Sequence, residues 1–513
     1  MEDIAIALFV QFQLDKRNNY LKGGAMITLK KNSTVGVAVA AGIVLAIKGS
    51  LAVAGEPSGQ EVKSQVDQQK YLVQDSRIIE STQNAKLTLG EVKKHAANPL
   101  FKEDKPWEPR FDNLYANIFY DQQEQLYKCW YSPFIICQST TETPREDWWK
   151  YRYQGEQTGT EREMGVCYAF SKDGIQWEKP ELGIVEFGGN KKNNIVMRDP
   201  HGAAVFKDLR EPDAARRYKF LCTVKSPSNI LSAAFSADGL HWSKPISCPE
   251  AGQVGGIHQI ALSAPALGKY VAFTRLWGEK GRLVGRTESA DFVNWTKAQV
   301  VLEGSEKNLQ TYTMPVFPYA GFYIGLPAII NEKTDRVHVE LAWSPDTIKW
   351  HRICPGTALI PNSEVMGDDD WGTVYAAANP IVLDKEIRLY YGGCNGMHGS
   401  WREGFLCLAT LRPDGWAGYE PTSKDSPAFV TTKTVTGDFS ALRITADVQD
   451  GGSVRVAVVD EQGKQLAHGE PVKRTVTNGK IIWGAGGDVT AGSGKKIRLK
   501  FELNDAKLYS FRM

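Results

Sequence analysis

Beyond Trp107 the hydrophobic positions fall in short alternating runs separated by Gly, Pro, Asn and Asp, and few runs keep the spacing of an amphipathic helix. Alternation with a period of two marks half-buried strands. The runs pair with one grammar: an apolar strand, a charged or glycine turn, then an aromatic strand. The pairs are 114–120 with 127–131, 203–206 with 218–222, 257–262 with 270–274, 314–318 with 321–324, and 375–383 with 387–391. Between them recurs S-x-D-x-x-x-W, at Ser171–Trp177, Ser236–Trp242, Ser289–Trp295 and Ser344–Trp350, with a degenerate copy at Pro413–Trp416. Ser and Asp side chains bond turn amides, Gly accepts positive φ, and Trp fills space between neighbouring units. A period of roughly 50 to 65 residues suits a four-stranded blade. The sequence therefore predicts an all-β chain with a five-bladed β-propeller over residues 106–421.

Longer alternating strands follow at 442–448, 453–459, 496–503 and 507–511, and predict a β-sandwich over 422–513. Residues 55–105 are polar and charge-mixed; they read as a lead-in with a helix around Lys86–His95. The apolar stretch 35–47, flanked by Lys30, Lys31 and Lys48, is too short to span a bilayer comfortably. With Met26 ahead of it and Ala52-Val53-Ala54 behind, it reads as an export signal within an N-terminal extension, 1–54. Translation then starts at Met26 and cleavage falls near Ala54; an uncleaved amphipathic anchor is the rival. The mature chain is expected to be secreted or periplasmic, with no stable membrane span.

Composition narrows the partners. Lys and Arg number 61 against 59 Asp and Glu, a net charge of +2, and no basic block would line a nucleic-acid groove, so nucleic acid is not expected. The eight cysteines form no C-x-x-C and no Cys/His cluster at zinc spacing, which argues against a metal-thiolate site. Disulfides after export and buried free thiols both remain open.

The repeat, the C-terminal strands and the triplet Arg198-Asp199-Pro200 together resemble the superfamily of glycoside hydrolase families 32, 43 and 68. The strings Asn193-Asn194-Ile195-Val196, Pro315-Val316-Phe317-Pro318-Tyr319 and Tyr390-Tyr391-Gly392-Gly393 look like those of secreted propeller-plus-sandwich proteins of that group. The resemblance implies an axial funnel with three carboxylates: a base or nucleophile, an orienting Asp and an acid. Asp112, in Trp107-Glu108-Pro109-Arg110-Phe111-Asp112-Asn113, stands where the first belongs, although the string W-x-N-D-P-N-G is absent. It is equally placed to cap a strand or turn. Asp199 in Arg198-Asp199-Pro200-His201 matches the second; paired with Arg198 it would stay ionised and orient hydroxyls. The acid is missing, because that position reads Gly256-Ile257-His258-Gln259; Glu250, Glu340 and Asp370 are substitutes, with salt-bridge or solvated-loop roles as alternatives.

Arg110, Arg198, His201, His258, Arg275, Tyr312, His398 and Arg402 are candidate substrate-binding residues and would suit an acidic or sulfated sugar; core histidines are the plainer alternative. Trp148 and Trp149 would stack on sugar rings or staple their own loop. The resemblance requires no cofactor and allows an axial calcium ion or water cluster. The leading expectation is a glycoside hydrolase of an oligo- or polysaccharide that uses paired carboxylates. A polysaccharide lyase would use Tyr312 or His258 as base and Arg275 to neutralise a uronate. A non-catalytic glycan-binding propeller is the third possibility.

Overall fold

The computed structural model describes residues 70–148, 161–224, 229–279, 281–436, 439–484 and 496–513. The expected signal segment, Met26 to Ala54, and Trp149 lie outside these residues. Strands dominate, and the arrangement is propeller-like and all-β. Among the described residues no helix is long and apolar enough to cross a membrane.

Four sheets have the form of separate blades. The first comprises Asn117–Asp121, Leu126–Tyr131, Arg162–Ser171 and Ile195–Arg198, with Phe134–Cys137 added. The second comprises His201–Lys207, Tyr218–Val224, Ile230–Ser236 and Ile246–Ser247. The third is Ile260–Ala264, Lys269–Gly278, Gly281–Ser289 and Gln299–Leu302, and the fourth Val316–Tyr319, Phe322–Gly325, Leu341–Ser344 and His351–Ile353. The expected fifth blade is not a sheet of its own. Thr373–Ala376, Ile387–Cys394 and Gly404–Leu411 belong to a nine-stranded sheet, because Val337 pairs in parallel with Thr373 and joins them to Leu309–Thr311, Ala328–Asn331 and Arg336–Val339.

The first strands of the four blades surround the axis. Neighbours are tied by Asn117 Nδ2 donating to the Ala203 carbonyl at 2.8 Å, Gln259 N to Gly202 O at 2.8 Å, Thr313 Oγ1 to His258 O at 3.1 Å and Ala378 N to Ala116 O at 3.0 Å. These buried polar groups therefore find partners from blade to blade.

In all four S-x-D-x-x-x-W turns the Asp carboxylate accepts from the amides of the fifth and sixth residues. In the second copy Gly239 N donates to Ser236 Oγ at 2.9 Å, and Leu240 N and His241 N both donate to Asp238 Oδ1 at 2.8 Å. Burial would raise the Asp238 carboxyl, but the amide and ring bonds of His241, with help from Leu240 and Ser236, pull it down to about 2. The fourth residue has positive φ in every copy: Gly174 76°, Gly239 79°, Phe292 68° and Thr347 70°. Gly239 also leaves space, since a Cβ there would lie 2.8 Å from both Trp130 Cζ2 and Tyr218 Cδ1, and its carbonyl accepts from Trp130 Nε1 at 2.7 Å. Gly239→Ala is expected to cost about 2 kcal/mol or more, from left-handed strain plus the clash; urea denaturation checks it, and a loss no larger than for an alanine change at exposed Leu209 would contradict it.

The segment 70–102 is neither a lead-in nor helical. Lys70–Leu72, Ile79–Gln83 and Ala85–Leu89 join the nine-stranded C-terminal sheet, while Lys93–Lys94 and Phe101–Lys102 pair with Gly404–Leu411. The C-terminal region is one continuous sheet. Its long strands Arg443–Val459 and Arg498–Arg512 pair with each other through bulges and serve both halves, around a core of Val430, Ile444, Val456, Leu499 and Phe501. All eight cysteines are free thiols.

Candidate active site

The site is built where the chain enters each innermost strand. Tyr115, His201, His258, Tyr312 and Tyr375 occupy these positions in turn and meet at the axis. Ring centroids lie 6.2 Å apart for Tyr115 and His201, 5.5 Å for Tyr115 and His258, 6.3 Å for Tyr115 and Tyr375, and 5.3 Å for Tyr312 and Tyr375. The segment leading to Tyr115 is strained: Asp112, Leu114 and Tyr115 have φ of 57°, 63° and 49°. Such backbone persists where surroundings impose it, and functional sites are where it collects.

One carboxylate stands in this cluster, and it is bound by arginines. Asp112 Oδ1 accepts from Arg402 Nη2 at 2.8 Å and from Arg110 Nε at 3.4 Å; both guanidinium side chains are 1% exposed. Arg402 Nη2 also reaches Asn113 Oδ1 at 3.0 Å. Burial favours the neutral acid, but Arg402, Arg110, Arg162 and His398 outweigh it and hold the Asp112 carboxyl well below the usual carboxylate range. Asp112 is thus a fixed anion that positions Arg402 and Arg110, and a poor proton acceptor.

The group with unusual acidity is Tyr312. Its Oη lies 3.1 Å from His398 Nε2, and His398 Nδ1 lies 3.6 Å from Asp335 Oδ1. Asp335 fixes the loop of His398 by accepting from Gly399 N at 2.7 Å through Oδ2 and from His398 N at 2.8 Å through its carbonyl. Burial would raise the Tyr312 phenol, but His398 and Arg275 bring it down to about 8 against the opposing charge of Asp112. Burial lowers His398, while Tyr312 and Asp335 reverse this and raise it. Tyr115 and Tyr375 go the other way: burial pushes both phenols well above their ordinary value. Tyr115 Oη accepts from Asn113 Nδ2 at 2.7 Å, whereas Tyr375 Oη has no hydrogen-bond partner among the described residues.

His258 is neutral. It is fully buried with Nε2 3.3 Å from Asn117 Oδ1, and burial pushes it down to about 3, too weak a base for chemistry near neutral pH.

No protein-family model and no curated protein matches the chain. Solved structures do. A structure of the GH130 family of mannoside phosphorylases, which contains glycoside hydrolases that target β-1,2 mannosidic linkages in Candida mannan, is 14% identical over 64% of this chain and 95% of its own, with a TM-score of 0.41. A glycosyl hydrolase from Bacteroides ovatus is 14% identical over 66% and 98%, with a TM-score of 0.42. An N-acetylgalactosamine deacetylase from F. plautii, in complex with blood group B trisaccharide, is 12% identical over 63% and 95%, with a TM-score of 0.42.

Several expected residues stand apart from the cluster. Arg198 does not pair with Asp199: it is exposed and holds Glu163, with Nε to Oε1 at 2.7 Å, because Glu163 lies on the adjacent strand. Asp199 is exposed, with φ of 77°, two residues before His201. Glu340 is buried against Arg352 at 2.5 Å, His338 at 3.3 Å and the amide of Gly356 at 3.0 Å, so it is an internal ion-pair partner in the fourth blade. Asp370 accepts from Tyr391 Oη at 2.7 Å, Lys94 Nζ at 2.9 Å and Ser363 N at 3.1 Å, which ties it to the outer edge strand of its sheet. Glu250 is exposed in a short turn. Trp148 stacks on Trp401 with centroids 5.3 Å apart and donates to Thr143 O, which staples the loop next to Arg402. Among the described residues no group of three or more His, Cys, Asp or Glu is gathered as a metal site.

The sequence reading missed Tyr115, Tyr375, Asn113 and Asp335. Stepping the repeat from His201 and His258 to the equivalent entry of every innermost strand would have found both tyrosines.

Proposed function

We propose that the protein is a glycan-cleaving enzyme in which Tyr312, not a pair of carboxylates, is the reacting group. The observation that carries this is the line Asp335, His398, Tyr312 at the axis, a carboxylate orienting an imidazole that touches a phenol. A nucleophile within reach of a base that is itself oriented by a third group is the general form of an activated nucleophile. In hydrolysis, the Tyr312 phenolate, stabilised by the protonated His398 beside it, bonds the anomeric carbon as the glycosidic C–O bond breaks. The leaving oxygen takes the proton from His398, and water then releases the sugar from the tyrosine. Tyrosine nucleophiles are an accepted exception to the two-carboxylate scheme. The expected export signal at Met26–Ala54 would place this activity outside the cytoplasm.

Elimination at a uronate is the second reading, favoured by the opposite shifts of the phenols. Environments that drive titratable groups apart assign base and acid. Tyr312, near 8, would take the proton beside the carboxylate, and Tyr115 or Tyr375 would return one to the leaving oxygen as that C–O bond breaks.

Both readings are tested on a panel of plant and algal polysaccharides. Saturated sugars mark hydrolysis, and products absorbing in the ultraviolet mark elimination. His398→Ala is expected to move the alkaline limb of the rate profile upward from about pH 8, because the imidazole is the chief influence lowering the Tyr312 phenol. Binding without turnover of any bound glycan would replace both readings with a glycan-binding propeller.

A further inference from the structure

The hairpin of Lys269–Gly278 and Gly281–Ser289 carries three unusual side chains on one face. Arg275 and Trp277 are two residues apart on one strand, and Arg282 is the direct cross-strand partner of Trp277. Each guanidinium lies 5.1 Å from the Trp277 ring; the same groups lie 5.7 and 5.5 Å from the ring of Tyr312. Trp277 is 60% exposed, so its large apolar face is left to solvent beside the axial cluster. Arg282 is held by Gln310 Oε1 at 3.0 Å and by exposed Glu332 at 3.5 Å. Arg275 has no carboxylate partner among the described residues, and its buried Nε has no acceptor. Gly255 makes room for it: a Cβ there would come within 2.5 Å of that Nε. Arg275 is half-buried; a cation partly withdrawn from water without an anion is costly, and a ligand anion would supply what the fold withholds.

We infer that Arg275, Trp277 and Arg282 bind an anionic sugar ring, its apolar face on the indole and its carboxylate or sulfate against the guanidiniums. The inference rests on the Tyr312 reading only in that the bound ring adjoins the reacting phenol. It names residues of one hairpin as the selector of substrate charge, and Trp277 as the platform.

The test is calorimetric titration of the full chain with neutral, uronate-bearing and sulfated oligosaccharides of equal length. An anionic ligand is expected to bind at least about tenfold more tightly than the neutral one at low salt, and to lose that advantage at high salt. The arm that binds identifies carboxylate or sulfate. Arg275→Gln is expected to abolish the preference and Arg275→Lys to keep part of it. Trp277→Ala, at an exposed position, is expected to weaken binding about tenfold. Equal affinity for the neutral ligand, or a preference that survives Arg275→Gln, overturns the inference. Tyr312→Phe separates the two ideas: retained anion-selective binding without turnover supports both. Tyr312-dependent turnover of neutral glycans with no charge preference leaves only the first standing, and anion-selective binding with no wild-type turnover leaves only the second.

Discussion

Tyr312→Phe is expected to lower kcat by about 10²- to 10⁴-fold, the range for removal of a positioned proton-transfer or nucleophilic group. The substitution removes one oxygen and leaves the ring between Tyr375 and His398. Asn113 keeps its shorter bond to Tyr115, at 2.7 Å against 3.5 Å to Tyr312, so the change in thermal stability should be small. The wild-type rate should rise with pH through about 8 as the phenol ionises, and that limb should vanish in the variant. Unchanged kcat, or an unchanged limb, would remove Tyr312 from the chemistry.

Asp112→Asn is expected to act first on stability. It leaves two guanidiniums of 1% exposure without the anion that compensates them, and breaking a buried ion pair from one side costs about 3–5 kcal/mol. That is a large part of the roughly 5–15 kcal/mol that holds a folded domain together. The pH dependence has a definite sign. The folded carboxyl is held below its unfolded value, so its contribution is complete above about pH 4 and is lost as the pH falls from there through the folded value. Urea denaturation at neutral pH checks the first claim. Asp112→Leu with Arg402→Met should lose less than the two single variants added together. Wild-type stability in Asp112→Asn, together with complete loss of turnover, would instead make Asp112 the reacting carboxylate.

Local patterns are legible in this sequence and long-range ones are not. The S-x-D-x-x-x-W turn announces itself because the Ser and Asp side-chain bonds that close it lie within seven residues, as Ser289, Asp291 and Asn294 illustrate. The strand pairs are legible for the same reason. The parallel contact of Val337 with Thr373, which merges the fifth strand set into a larger sheet, leaves no periodic trace. The strands between 70 and 102 are short and largely exposed, and their partners lie hundreds of residues away, so they look like a polar linker. At the site, Asp112, Arg110, Tyr312, His398 and Arg402 stand out as chemistry-bearing residues near repeat boundaries, and the structure brings them together. Asp199, Glu340 and Asp370 stand out equally by composition, yet their surroundings are set by neighbouring strands. Glu163 beside Arg198 and Arg352 beside Glu340 are invisible to spacing. Asp335 is hidden because it serves the site from a tight turn in another hairpin.

The pairing of Lys93–Lys94 and Phe101–Lys102 with Gly404–Leu411 governs how the protein is made. During synthesis the early strands emerge first and must wait for partners made some three hundred residues later, as the separation of 317 between Thr410 and Lys93 records. Contacts so distant in the chain slow the final step of folding. Exposed lysines along the waiting edge discourage pairing with other chains in the interval. A strand that leaves the ribosome late therefore fastens two made much earlier, and a nascent chain stopped short of Gly404 leaves Lys93–Lys94 and Phe101–Lys102 without their partner.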